Sequence, residues 1–184
     1  MARSDETGRG AGHRARDERA IHLTNVTNTA PTPRTHPLAY VLAGGLVVGT
    51  VDIVFAMTFW DWWADVPAFR VLQTVAAGLL GPASFNGGIE TAMFGLTLHF
   101  AIALTMAVAF YVAARRWPVL WKRPREAGVA YGFFLYGVMN HVVVPLSAAP
   151  AASTDVVWIV FNVTVHVLLI GLPIALFVRQ GLLQ

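Results

Sequence analysis

The sequence predicts an all-α fold: a four-helix transmembrane bundle with an additional outer-surface amphipathic helix and a disordered N-terminal tail. Three observations predict it. Four apolar windows, 38–60, 89–114, 127–149 and 156–178, are each long enough to cross a hydrocarbon core of about 30 Å, which takes about 20 apolar residues in a helix. The composition is 56% hydrophobic and 12% charged, against about 25% charged residues in soluble domains. The basic residues are also sorted. Arg3, Arg9, Arg14, Arg16, Arg19 and Arg34 precede the first window; Arg115, Arg116, Lys122, Arg123 and Arg125 lie between the second and third; Arg179 follows the fourth. Only Arg70 is left for the opposite side, with Asp61, Asp65 and Asp155. The positive-inside rule then puts both termini in the cytoplasm. The sequence pI near 9.8 thus reports topology, and the partner it implies is the lipid bilayer, with no nucleic acid.

Residues 1–37 mix Arg, Asp, Glu, Thr and Pro with few large apolar groups. Such a segment cannot bury enough surface to offset its ordering entropy, so it is expected to be a disordered cytoplasmic tail. No apolar core precedes Leu38, so a signal peptide is not expected and the first span is expected to act as an uncleaved anchor. All six tryptophans fall at window ends, where indole is favoured because its ring is buried and its N–H is wet. Trp60, Trp62, Trp63 and Trp158 mark the outer level, Trp117 and Trp121 the inner one.

The stretch 65–81 is too short to span. Asp65 suits a helix N-cap, Pro67 its first turn and Gly81-Pro82 its stop. Phe69, Leu72, Ala76 and Leu79 recur at helical spacing, so an amphipathic helix lying along the outer surface is expected. The segment 81–88 reads as a flexible turn, a connecting loop rather than a lid. Glu90 stands at the outer mouth of the second span, solvated or paired with Arg70. Short connections make spans two and three, and spans three and four, antiparallel neighbours. Pro145 and Pro173 are placed to kink spans three and four. No internal repeat is present, which argues against an inverted-repeat transporter.

Each span carries one ionisable residue: Asp52, His99, His141 and His166. Counted from the cytoplasmic end at the helical rise, the first three lie roughly 21–23 Å up and His166 roughly 18 Å up. A charge or imidazole inside a bilayer costs at least a few kcal/mol, so such residues face a partner or a cavity. Small residues mark the faces: Gly45, Gly49 and Ala56 with Asp52, Gly95 and Ala103 with His99, Gly137 with His141. Asn162 lies one turn before His166 and Asn140 adjoins His141, as a supporting shell. The four ionisable residues are therefore expected to form one intramembrane site that binds a metal ion or protons.

Three imidazoles and a carboxylate suit a transition metal. Two of the histidines could hold one b-type haem. Asp and His also form intramembrane proton relays. A structural alternative stands beside these: interhelical hydrogen bonds from the same residues simply fix the bundle, in an accessory or assembly subunit of a larger membrane complex. Thr97, Thr105 and Thr164 are expected to bond back to their own helices. The GxxxG pairs Gly45–Gly49 and Gly128–Gly132 allow either a homo-oligomer or internal packing. The chain has no cysteine, which removes disulfides, thiolate metal sites, iron–sulfur clusters and covalent c-type haem. HExxH and GxSxG are absent and no strand is predicted, so classical catalysis is not expected.

Two stretches carry a resemblance. One is LHFAIALTMAVAFYVAARRWPVLWKRPREAGVAYG, a His-bearing span ending in a basic turn. The other is MNHVVVPLSAAP followed by FNVTVHVLLIGLPIALFVR. Over roughly residues 90–180 the chain resembles, distantly, the uncharacterised four-span bacterial inner-membrane proteins of the YagU type. The resemblance implies a multi-pass protein of the bacterial inner membrane in which His99, His141 and His166 correspond to that family's intramembrane histidines. It implies no substrate.

Overall fold

The computed structural model describes residues 36–184; the tail expected over 1–37 lies, but for His36 and Pro37, outside them. Helix α1 covers Pro37–Ala64, α2 Ala68–Leu80, a 3-10 helix Gly81–Asn86, α3 Gly88–Arg116 and α4 Val119–Lys122. Helix α5 covers Pro124–Leu146 and α6 Val156–Leu182. No strand occurs among the described residues. Four of these helices, α1, α3, α5 and α6, are long and apolar enough to cross a membrane.

Asp65 caps no helix start. It ends α1 in the left-handed conformation, φ 51° and ψ 33°, with its N–H donating to Asp61 O. Asp is among the few residues that tolerate this conformation, and one such residue satisfies the otherwise orphaned carbonyls of a helix end. Pro67 then precedes α2, which stops at Gly81, where φ is 61°. The expected flexible turn at 81–88 is instead a 3-10 helix held at several points. Arg70 Nη1 donates to Phe85 O at 3.1 Å, Gln73 Nε2 to Gly88 O at 3.0 Å, and Thr91 Oγ1 to Ser84 O at 2.6 Å. Arg70 is thus engaged by this segment, and Glu90 is exposed.

Each of the two prolines follows a wider turn of its helix. A π turn at Met139–Val143 precedes Pro145, and another at His166–Gly171 precedes Pro173. Proline has no N–H and its ring crowds the carbonyl four residues back, which are His141 and Leu169 here; the π turn moves that carbonyl aside.

Glycines decide which helices meet. A β-carbon at Gly45 would lie 2.9 Å from Leu104 Cδ2, and one at Gly49 2.9 Å from Phe100 Cδ1, so α1 and α3 touch there. At Gly95 it would overlap the Leu72 carbonyl of α2. On α5, Gly128 and Gly132 sit directly against the α6 backbone from His166 to Leu172, with Gly171 facing them. Both GxxxG pairs are therefore used within the chain. Gly137 has nothing within 4 Å of its β-position and marks no contact face.

The helices form an arc: α2 on α3, α3 on α1, α1 on α6, α6 on α5. Although α3 and α5, expected as antiparallel neighbours, are joined by the short α4 hairpin, they pack little on each other. Tyr131 Oη donates to Met106 O at 2.8 Å and its ring lies 4.9 Å from that of Phe110, pinning them near the α4 end. Beyond that pin they diverge. The core of the closed end is Val41, Val48, Phe110, Leu135, Ile174 and their neighbours.

Replacing Gly132 with Val should force α5 off α6 and lower stability by about 1–3 kcal/mol, the usual cost of overpacking, whereas Gly137→Ala should leave stability unchanged. Unfolding by SDS in mixed micelles would show a lowered midpoint for Gly132→Val alone.

Candidate functional site

The divergence of α3 and α5 leaves a half-open cavity of about 610 Å³ on the concave side of the arc. Its floor is apolar, with Val48, Ala103, Met106 and Ile170. Above the floor come Asp52 from α1, His99 from α3, Asn140 from α5, and Asn162 and His166 from α6. Higher still, Trp60, Trp158, Val71, Val75 and Leu79 make an apolar rim, roofed in part by 149–153 of the α5–α6 connection. Apolar walls with a few convergent polar groups are the usual make-up of a small-molecule site.

The polar level is built by close packing. Gly49 admits α3 near enough for His99 Nε2 to reach Gly49 O at 2.8 Å. A carbonyl only accepts, so Nε2 carries the hydrogen and Nδ1 is the acceptor in the neutral ring. The same Nε2 lies 4.0 Å from Asp52 Oδ2; the two side chains are 13% and 28% exposed. Across the cavity wall, His166 Nδ1 donates to Asn162 O at 2.9 Å, which leaves its Nε2 as the acceptor. His166 sits in the π turn, and both it and Asn162 are buried.

Other donors at the cavity are turned inward too. Asn140 Nδ2 donates to Tyr136 O at 3.0 Å, Ser147 Oγ to Val144 O at 2.9 Å and Thr74 Oγ1 to Arg70 O at 2.9 Å. Asp52 accepts no hydrogen bond from the described residues, and its carboxylate is not sealed from the cavity. Among the described residues no Lys or Arg lines the cavity. The polar level thus offers free acceptors at Asp52 and the two imidazoles, beside the side-chain amide of Asn162.

Asp52, His99 and His166 line the same cavity, as do Asn140 and Asn162. His141 does not join them. It is exposed, it does not line the cavity, and its nearest aromatic partner is Tyr136, ring centres 6.2 Å apart. The packing face of α5 runs Gly128, Gly132, Leu135, Met139 and Val143, a helical period that includes Asn140 and misses 141. Gly137, which has no neighbour, was the wrong marker for that face. Among the described residues no group of three or more His, Asp or Glu side chains is placed to hold a metal ion, so the four-residue metal set is not assembled.

Sequence reasoning assigned Trp60 and Trp158 only to the membrane interface. Their rings pack 4.9 Å apart and both line the cavity. Nor did it find the α2 wall: Leu72 and Ala76 lie on α3 at Gly95, while Val71 and Val75 face the cavity and Phe69 is exposed. Thr97, Thr105 and Thr164 bond the carbonyl four residues back, at 3.0, 2.7 and 2.7 Å.

Comparison with protein-family models, with curated proteins and with solved structures finds no match to this chain. The likeness to YagU-type proteins rests on the two sequence stretches alone.

The cavity rim is open to a direct check. A β-carbon at Gly78 would lie 3.9 Å from Ser147 Cβ, inside the range of about 3.5–4.5 Å for a disulfide. In a chain with no other cysteine, Gly78→Cys combined with Ser147→Cys should cross-link on mild oxidation. A reductant-sensitive mobility shift is the expected result, and its absence would mean that α2 does not sit over the end of α5.

Proposed function

We propose that this is a multi-pass inner-membrane protein, with both termini cytoplasmic, that holds a proton-binding Asp52–His99–His166 site inside its own bundle. The orientation follows from the basic residues around α4 and after α6. It puts α2 at the outer surface and the cavity mouth toward the outer leaflet. The observation that carries the reading is the cavity wall itself: one carboxylate and two imidazoles, each imidazole with one nitrogen committed to a backbone carbonyl.

Protons fit this arrangement better than a metal. The free ring nitrogens and the carboxylate are acceptors, and among the described residues no three ligating side chains converge on a metal position. Asp52 and His99 together are uncharged only when they carry one proton more than a carboxylate and a neutral imidazole. Loss of that proton leaves a net charge within the membrane, where it is costly. His166 offers a second acceptor on the same wall.

The other titratable groups on the described helices do not line the cavity, although Tyr136 of α5 packs edge-on against His166, ring centres 5.8 Å apart. Arg70 of α2 is engaged by Phe85 O and Gln73. Tyr136 and His141 of α5 do not line the cavity, nor does Tyr131.

Trp60 and Trp158, on the same cavity wall, report on the site. Their fluorescence in liposomes should show a pH transition in the wild type that Asp52→Asn and His99→Gln each remove and His141→Leu leaves in place. A transition that survives both Asp52→Asn and His99→Gln would end this reading.

A further inference from the structure

From the chemistry of the cavity we infer that its ligand is a small amphiphilic organic cation, a protonated amine on an apolar body, which enters from the bilayer between α3 and α5. The inference rests on the reading of Asp52, His99 and His166 as one site, and adds the class of molecule that site takes.

Three features lead there. The first is charge: among the described residues the lining contains one carboxylate and no Lys or Arg, so it opposes anions and favours cations. The second is hydrogen-bond polarity. The hydrogens that the His99, His166, Asn140, Ser147 and Thr74 side chains donate go to backbone carbonyls. What remains on the lining is the Asp52 carboxylate, the second nitrogen of each neutral imidazole and the amide groups of Asn140 and Asn162, with the indole N–H groups of Trp60 and Trp158 at the rim. An ammonium group has three donors and no acceptor, which suits the carboxylate and the ring nitrogens. A carboxylate guest would meet like charge at Asp52.

The third is the shape of the remainder. The polar level is shallow and the rest of the cavity is apolar, so the guest needs an apolar body. Along α1, Asp52 to Trp60 is about 12 Å by the helical rise, a length that an octyl chain fills. The Trp60 and Trp158 rings at the rim also favour a passing cation through their π faces. Entry between α3 and α5 is inferred because these two spans pack little on each other while residues of both line the cavity.

The cation takes over the role of the proton. An ammonium set against Asp52 keeps the site neutral without the extra proton on the Asp52–His99 pair, so binding should release that proton.

The test uses three probes of equal chain length: octylammonium, octanol and octanoate. Each is titrated calorimetrically into the purified full-length protein in detergent micelles, with protein-free micelles as blanks. Octylammonium should bind saturably and at least roughly tenfold more tightly than octanol, the scale of one hydrogen bond to a charged group, while octanoate should not bind. Asp52→Asn should erase the preference for the amine over the alcohol, and Asp52→Glu should retain part of it. Equal binding of octanol or octanoate to the wild type, which does not depend on any variant folding, would overturn the inference. So would an amine preference that survives in Asp52→Asn. If the preference is absent while the Asp52-dependent fluorescence transition persists, the ligand class is wrong and the proton site stands. If neither is seen, both readings fall.

Discussion

Backbone-to-backbone contact at a handful of glycines is the constraint from which the rest of this architecture follows. Lipid tails are as apolar as leucine, so helices in a bilayer are drawn together by packing and not by exclusion from water. Here α5 meets α6 through Gly128, Gly132 and Gly171, α1 meets α3 through Gly45 and Gly49, and α2 meets α3 at Gly95. Once α3 has α1 and α2 on its sides, and α5 has α6, those two spans share only the region around Tyr131 and Met106. The cavity is what this pairing leaves over. A bulkier residue at Gly45, Gly95, Gly128 or Gly132 would alter the shape of the cavity without touching its lining, whereas Gly49 is itself part of that lining.

The same contacts place the polar groups. His99 reaches the Gly49 carbonyl because no side chain intervenes at Gly49, and that bond holds its Nε2 4.0 Å from Asp52. His166 lies in a π turn that Pro173 favours, and its bond to Asn162 O holds the ring on the cavity wall. Buried imidazoles are costly unless bonded, and here the backbone supplies the bond. The consequence is chemical: a ring nitrogen committed to a carbonyl leaves its partner as an acceptor, and the site gains a preference for guests that bring hydrogens. The rim, with Trp60 against Trp158, is apolar and aromatic.

Much of this was legible in the chain. The four apolar windows lie within a few residues of the four long helices, because length and composition suffice to make an apolar helix. Asp52, His99 and His166 were legible as well, since an ionisable residue in an apolar run has few places to go other than a cavity or a partner. His141 satisfied that same rule and yet lies off the cavity. On a helix, Asn140 and His141 point about 100° apart, and a count of depth carries no information about azimuth. Gly137 suggested one azimuth, whereas Gly128 and Gly132, more than a turn earlier, set another. Asp65 was misread for a related reason: the residue type suits the end of one helix and the start of the next, and only the backbone path between them selects the first.

Composition and periodicity by themselves determined that this chain makes four long apolar helices, where they begin and end to within a few residues, and which of their residues are too polar to face lipid unaided. Those properties are local, set by each segment's own transfer energy and rise per residue. The tertiary structure alone decided which helices touch, that a cavity is left between α3 and α5, that Asn140 and not His141 lines it, and that both of its imidazoles donate to backbone carbonyls. These depend on close approach between segments distant in the chain, and a one-dimensional pattern contains helix faces but not the pairing of those faces.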